Sequence, residues 1–254
     1  MRFWLPAVFV LLTGIAHADP GEQDSPAPRV PRRSPDFLFG RPDGSIGIRG
    51  DWIFRRAGSD WYDFLSRDLT IDDGAFNSPG VTFEASFFVA PRVDIVAGVD
   101  LSGSSTSSEY RAYVDNNRLP IEQRTELRGT TVSGSLKYTL IPRGREVGSL
   151  AWVPNAVVPY VGAGGGAHWF RMTQQGDFVD FQDLSVFPEV FRSSGWSPSV
   201  HVFGGADIKV YRRLYVSLEA RYEWAKGDLG PEWIDFDPID LSGLRVGTGI
   251  SVVF

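Results

Sequence analysis

The chain has 254 residues, with 25 Lys and Arg against 31 Asp and Glu, a formal net charge of −6 and no cysteine. The acidic balance argues against nucleic acid as a partner, because phosphate backbones are bound by basic surfaces. The absence of cysteine excludes disulfide frameworks and thiol-based metal or redox sites. No stretch after the amino terminus has about 20 consecutive apolar residues, so the sequence predicts no membrane-spanning helix.

The amino-terminal residues have the composition of an export signal followed by a linker. A basic start and an apolar run over 1–12 precede the small-residue pattern Ala-His-Ala at 16–18. This predicts a cleaved secretory signal peptide over 1–18. Residues 19–44 are rich in proline, serine and charge, so we expect a flexible periplasmic arm there. The apolar tripeptide at 37–39 either tucks under the domain that follows or belongs to this mobile linker.

From residue 45 onward, eight runs alternate between apolar residues and small or polar ones. The runs are Ile46–Phe54, Val81–Val89, Val93–Leu101, Thr130–Tyr138, Val161–Trp169, Trp196–Val210, Leu214–Trp224 and Leu244–Phe254. Alternation with period two over about ten residues is typical of strands that face lipid on one side. The sequence therefore predicts an all-β fold, an eight-stranded antiparallel up-and-down transmembrane β-barrel over residues 45–254.

The connections between these runs alternate in length. Two are tight turns and four are long loops, at 90–92 and 211–213, and at 57–79, 103–123, 173–195 and 227–240. Bacterial barrels place short turns in the periplasm and long loops outside, so the first strand runs outward. The connection over 141–158 is longer than a periplasmic turn requires.

Aromatic side chains are sorted to the two ends of the predicted strands. In the orientation above, the outer membrane interface receives Trp52, Trp169, Trp196 and Trp224. The inner interface receives Phe87, Tyr138 and Phe254. Such sorting is typical of the two aromatic girdles of a membrane barrel. We expect the last strand, which ends on Phe254, to close the barrel.

The pattern over residues 45–254 resembles the small eight-stranded outer-membrane barrels of the OmpA-like family, including the opacity-type proteins. The run Pro159–Gly166 is similar to the Pro-Tyr-x-Gly-x-Gly run of those proteins. Phe254 matches their terminal aromatic residue, and the resemblance implies that it is an assembly signal read by the barrel-assembly machinery. Because no peptidoglycan-binding domain follows the last strand, we do not expect the cell-wall tethering of full OmpA.

Charged residues and both late histidines occupy the strand faces that point into the predicted lumen. They are Arg49, Asp51, Arg55, Glu84, Asp94, Asp100, Lys137, His168, His201, Asp207, Lys209, Glu219, Arg221, Glu223 and Arg245. The interior of an eight-stranded barrel is just wide enough for side chains to fill. Buried charges there must be paired, which predicts a salt-bridged plug. The alternative is a gated narrow path for ions or small solutes.

The two histidines raise a catalytic alternative. Ser199 lies two residues from His201 on the same face, and a Ser-His-acid site would match an outer-membrane lipid-modifying enzyme. However, the alternation directs His168 and His201 into the lumen and away from outer-leaflet lipid. We therefore expect hydrogen-bonded structural histidines and no enzymatic activity.

The predicted outer loops mix acids with large apolar residues, as at 60–64, 177–181 and 233–237. The apolar residues are predicted to fold back as a cap over the barrel mouth. The acids lack the pattern of a calcium loop, so we predict neither a metal nor a cofactor.

The leading hypothesis from the sequence is a non-catalytic outer-membrane protein with a structural or surface-interaction role. A narrow channel is the second hypothesis, and a lipid-modifying enzyme is a distant third. We expect a monomer surrounded by outer-membrane lipid and lipopolysaccharide, with loops open to an extracellular ligand.

Overall fold

The computed structural model describes residues 37–254 except 116, 149, 181 and 234. The predicted signal peptide (1–18) and residues 19–36 of the predicted arm lie outside the described residues. In chain order the elements are β1 (Leu38–Phe39), β2 (Gly44–Arg55), α1 (Asp60–Asp68), a 3₁₀ turn (Asp73–Phe76), β3 (Ser78–Ala90), β4 (Val93–Val114), β5 (Pro120–Thr139), β6 (Gly144–Val147), β7 (Ala151–Pro154), β8 (Val157–Val179), β9 (Val186–Lys209), β10 (Leu214–Gly227), a 3₁₀ turn (Pro231–Trp233), β11 (Ile239–Asp240) and β12 (Gly243–Val253). Within the described part of the chain, no helix is long and apolar enough to span a membrane.

Eight strands form a closed antiparallel ring in the order β2, β3, β4, β5, β8, β9, β10, β12. The ring closes between the first and last of these strands, from Arg55 opposite Gly243 to Ser45 opposite Val253. Closure pairs the backbone groups of every strand, which the interior of a lipid bilayer requires. The predicted eight-stranded barrel is confirmed, and the last strand closes it as expected.

The outer surface of the ring carries the apolar residues of the alternating runs. Leu136, Val200 and Ile250 are each more than half exposed to the surroundings. Outward-facing residues two or four positions away, among them Val132, Val202 and Val252, are exposed and apolar as well, so the exposed apolar surface continues around the barrel. Such a surface is stable in lipid and not in water.

The aromatic residues of the predicted girdles point outward. Phe87, Tyr138 and Phe254 lie exposed at the periplasmic ends of their strands, and Trp52 and Trp224 lie exposed near the opposite ends. Trp196 is also exposed and lies directly opposite Trp169, which is partly buried.

One part of the girdle prediction is wrong, because Trp169 and Trp196 do not lie at the ends of their strands. Strand β8 continues to Val179 and β9 begins at Val186, so both extend well beyond the tryptophans. The predicted long loops at 103–123 and 173–195 are likewise mostly strand. Four strands have 20–24 residues, whereas β2, β3, β10 and β12 have 11–14. The barrel wall is therefore about twice as tall on the side of β4, β5, β8 and β9.

The tall side of the wall wraps around a cap formed by residues 56–77 and 228–242. Trp61 and Leu65 lie on one face of α1, Leu69 follows directly after its last residue, and all three are fully buried. They pack in one apolar cluster with Phe170 and Met172, which point inward from β8 above the polar lumen. This cluster is the cap that the composition of the loops predicts, and it explains why the strands continue above the membrane.

The periplasmic end carries a second small sheet, in which β7 pairs with both β1 and β6. Leu38 lies opposite Trp152, and both are buried together with Tyr215 and Val253. Within the predicted arm over 19–44, Leu38 and Phe39 form β1 and Leu38 is buried, which favours the alternative that the tripeptide at 37–39 tucks under the domain that follows. The long connection at 141–158 is explained by the β6–β7 hairpin that forms this sheet.

Candidate functional site in the barrel lumen

Arg49 and Arg221 lie at the centre of the lumen, on β2 and β10. Arg49 pairs with Asp51 at 2.8 Å and with Glu84 and Glu219 at 3.1 Å. Arg221 pairs with Glu84 at 2.8 Å and with Glu219 at 3.0 Å. Both guanidinium groups are almost unexposed, so each carboxylate that they share stabilises two buried positive charges. Multiple charge-assisted hydrogen bonds of this kind offset the cost of removing ions from water.

Arg245 extends the network toward the extracellular end. It lies 3.5 Å from Asp100 and 3.3 Å from Glu223, while Asp100 also lies 3.6 Å from Arg221. The hydroxyl of Thr82 lies 2.6 Å from carboxylate oxygens of both Asp51 and Asp100 and donates to one of them. Thr82 joins the two halves of the network. Its inward position follows from strand alternation, but its partners depend on pairing between strands.

Both histidines bond to hydroxyl groups of β5, His168 from the neighbouring strand β8 and His201 from β9, across β8. Nδ1 of His168 lies 2.8 Å from Thr131 Oγ1 and 3.6 Å from Glu223. Nε2 of His201 lies 2.8 Å from Ser135 Oγ, so the partner of His201 is on β5 and is not Ser199. Both histidines are buried inside the barrel, where lipid of the outer leaflet does not reach them. The arrangement favours structural histidines over a Ser-His-acid centre.

Gly164 on β8 makes room for the pair formed by Ser135 and His201. A Cβ atom at this position would lie 2.4 Å from Ser135 Oγ and 2.8 Å from His201 Nε2. The glycine-rich run thus lets two neighbouring strands place side chains over this strand, which explains its composition.

The periplasmic half of the lumen contains a further ion pair beside an aromatic ring. Lys137 Nζ lies 2.7 Å from Asp207 and 3.6 Å from the centre of the Tyr160 ring. The hydroxyl of Tyr160 donates to Glu219 at 3.0 Å, which links this pair to the central network. The sequence shows Tyr160 on the inward face but does not show that it bridges two charged groups.

Asp94 is paired with a residue that sequence reasoning missed. Arg143, immediately before β6, forms a salt bridge with Asp94 and lies 4.3 Å above the ring of Phe88. The predicted lumen residues include seven Asp or Glu and six Lys or Arg. Arg143 adds a seventh positive charge, so the two signs are equal in number. No local pattern indicates this pairing, because Arg143 reaches the lumen from outside the barrel strands.

Two predicted lumen residues lie at its ends. Arg55 donates to the carbonyl oxygen of Leu241 at 2.8 Å and to Ser102 Oγ at 3.4 Å, so it joins the barrel to the cap. Lys209 is the last residue of β9 and is half-buried. The other thirteen predicted residues lie along the lumen in the contacts described above.

Little space remains between these side chains. A cavity of about 30 Å³ lies among Arg49, Glu84, Lys137, Tyr160 and Asp207. Such a volume holds about one or two water molecules. Among the residues that the structure describes, no group of three or more His, Asp or Glu is arranged to hold a metal ion. At this level the lumen is occupied by ion-paired polar side chains.

Neither a protein family profile nor a functionally described protein matches the chain in sequence. Among solved structures, Neisserial surface protein A is 11% identical over 83% of this chain and 97% of its own, with a TM-score of 0.44. The outer membrane protein OprG from Pseudomonas aeruginosa is 14% identical over 85% and 99%, with a TM-score of 0.42. AlkL is 16% identical over 94% and 97%, with a TM-score of 0.40.

These structures are small outer-membrane barrels, the class that the sequence resembles, but likenesses at this level say nothing about activity. The fold assignment rests on the strand pairing and on the apolar outer surface. The chain is therefore an eight-stranded transmembrane β-barrel of the outer-membrane type.

Proposed function

We propose that this protein is a non-conducting, non-catalytic outer-membrane barrel with a structural and surface-interaction role. The observation that carries the proposal is the ion-paired filling of the lumen around Arg49, Arg221 and Arg245. An ion that crossed the barrel would have to displace guanidinium groups that each contact two or more carboxylates. Breaking buried pairs of this kind costs several kcal/mol.

Both ends of the lumen support the same proposal. The extracellular end is covered by the cap, in which Trp61, Leu65 and Trp233 are buried. At the periplasmic end, Arg143 reaches Asp94 from the segment that leads into the β6–β7 hairpin. A permeating solute would meet an apolar obstacle, a charged network and a second charged contact in series.

The tall side of the barrel supports the surface-interaction part of the proposal. Above the tryptophans, strands β4, β5, β8 and β9 expose polar side chains on their outer face. A groove of about 720 Å³ on this side is lined by residues that include Glu109, Glu122, Arg124, Asp177 and Glu189. Such a polar, accessible wall suits contact with molecules outside the cell.

A liposome-swelling assay tests whether solutes pass through the barrel. Liposomes containing the refolded full chain are moved into iso-osmotic solutions of small sugars or amino acids. We expect the swelling rate of protein-free liposomes, with an open outer-membrane porin as the positive control. Swelling that depends on solute size and on the amount of this protein would contradict the proposal and support a narrow channel.

A further inference from the structure

Two rows of polar residues cross the outer face of the barrel directly above its tryptophans. In the tryptophan row, Trp169 on β8 lies opposite Trp196 on β9. In the next outward-facing row, Arg171 of β8 lies opposite Arg128 of β5 and Ser194 of β9. One row further out, Thr173 lies opposite Glu126 and Arg192. Three arginines from three adjacent strands are thus brought together.

Two like charges of this group face each other. Arg128 on β5 lies directly opposite Arg171 on the adjacent strand β8. Two like charges in this position destabilise a sheet unless an anion neutralises them. Glu126 is the one acid among the described residues that line the groove, and it is shared by Arg124 at 3.2 Å and Arg128 at 3.3 Å. The groove has a volume of about 440 Å³ and also exposes the hydroxyl-bearing Thr173 and Ser194.

The position of the group relative to the membrane indicates what kind of anion it meets. Below it, the outward residues are apolar, and Trp169 and Trp196 are the side chains of the predicted outer interface. The guanidinium carbon of Arg171 lies 5.1 Å from the centre of the Trp169 ring, so this charge lies next to the apolar belt. Charged headgroups of outer-leaflet lipid lie at this height, immediately outside the hydrocarbon region.

We propose that Arg128, Arg171 and Arg192 form a binding site for a phosphate group of a membrane-anchored glycolipid of the lipid A type. Arginine suits this role because its planar guanidinium donates two parallel hydrogen bonds to phosphate oxygens. The bound phosphate neutralises the opposed pair of Arg128 and Arg171, while the acyl chains lie against the apolar belt below. The site deepens the surface-interaction role, and it rests on the membrane location of the barrel but not on a closed lumen.

Native mass spectrometry of the refolded full chain in detergent micelles tests the site. The probes are diphosphoryl lipid A, the same glycolipid without phosphate, and inorganic phosphate. We expect the wild-type protein to bind diphosphoryl lipid A at least tenfold more tightly than the phosphate-free form. The triple variant Arg128→Ala, Arg171→Ala, Arg192→Ala is expected to lose this preference. Arg171→Lys keeps the charge but loses the bidentate geometry, so an intermediate loss is expected.

Arg118 provides a matched control on the same hairpin. It lies at the tip between β4 and β5, ten residues or roughly 33 Å of strand from Arg128. Arg118→Asn also removes an arginine charge, and asparagine can adopt the positive φ of this position. The control is expected to bind lipid A as the wild type does, and heat-modifiable gel mobility checks that each variant is folded.

Three results would overturn the proposed site. They are equal affinity for the phosphorylated and phosphate-free lipids, a triple variant that binds as the wild type does, and displacement of lipid A by inorganic phosphate at equal concentration. The last result would assign the arginines to free phosphate. Because solute flux is measured separately, loss of lipid A preference leaves the non-conducting proposal standing, and observed flux leaves the lipid site standing.

Discussion

Replacing Arg221 by methionine tests how strongly the lumen network stabilises the barrel. Methionine fills a similar length without charge, so the change removes contacts with Glu84, Glu219 and Asp100. Removing one partner of a buried ion pair costs about 3–5 kcal/mol, because the remaining charge is left uncompensated. Arg49 still contacts Glu84 and Glu219, so we expect a loss of about 3 kcal/mol in the free energy of unfolding.

The assay for Arg221→Met is reversible urea unfolding in lipid vesicles, followed by tryptophan fluorescence. Arg118→Asn is the exposed control, for which we expect a change within about 0.5 kcal/mol. Adding Glu84→Gln to Arg221→Met removes one of the two carboxylates that then share Arg49, and it is expected to recover part of the lost stability. An unchanged unfolding midpoint for Arg221→Met, or a double variant that is less stable than Arg221→Met alone, would show that the ion pairs of Arg221 do not stabilise the barrel.

Three further predictions concern the cap and the periplasmic end. Trp61→Ala removes a fully buried ring at a cost of about 3–5 kcal/mol to the cap, so limited proteolysis should cut within 57–77 while heat-modifiable mobility of the barrel persists. Burial raises the pKa of Tyr62, which favours its neutral form in the folded cap. Protection of 57–77 from protease should therefore hold below about pH 10 and fall above it, and Tyr62→Phe should reduce that fall. Arg143→Ala leaves the buried carboxylate of Asp94 without its ion-pair partner, so its urea midpoint should be lower than that of Arg118→Asn.

The barrel itself was predictable because each membrane-facing strand repeats one simple pattern. In β12, Leu244, Val246, Ile250 and Val252 face outward, and Arg245 faces inward, as the alternation indicates. The same alternation assigned the charged residues of the lumen to the inside. Lipid on one side and a narrow polar lumen on the other impose this pattern on every strand.

The extensions above the membrane were not predictable from apolar alternation. In β4, Ser104 and Thr106 face inward while Ser105 and Ser107 face outward, so both faces are polar and the pattern disappears. The partners of individual lumen residues were not predictable either, because they depend on the register between strands. His201 bonds to Ser135, 66 residues earlier in the chain, and no local spacing indicates that contact.

The helix in the cap could have been predicted from the spacing of its apolar residues, but the search for alternating strands did not identify it. Trp61, Leu65 and Leu69 recur at intervals of four residues, which is the spacing of one helical face. The composition of the loop predicted that its apolar residues fold back over the barrel, but it did not show that a helix presents them.

Planar-bilayer recording of the refolded full chain tests the closed lumen most directly. We predict that the barrel inserts without unitary current steps, because Arg49, Arg221 and Arg245 are held by carboxylates across the lumen. Insertion is verified independently by the heat-modifiable mobility of protein recovered from the same vesicles. Reproducible unitary steps from the wild-type protein, changed in size when Arg49 or Arg221 is replaced, would show that the lumen conducts ions.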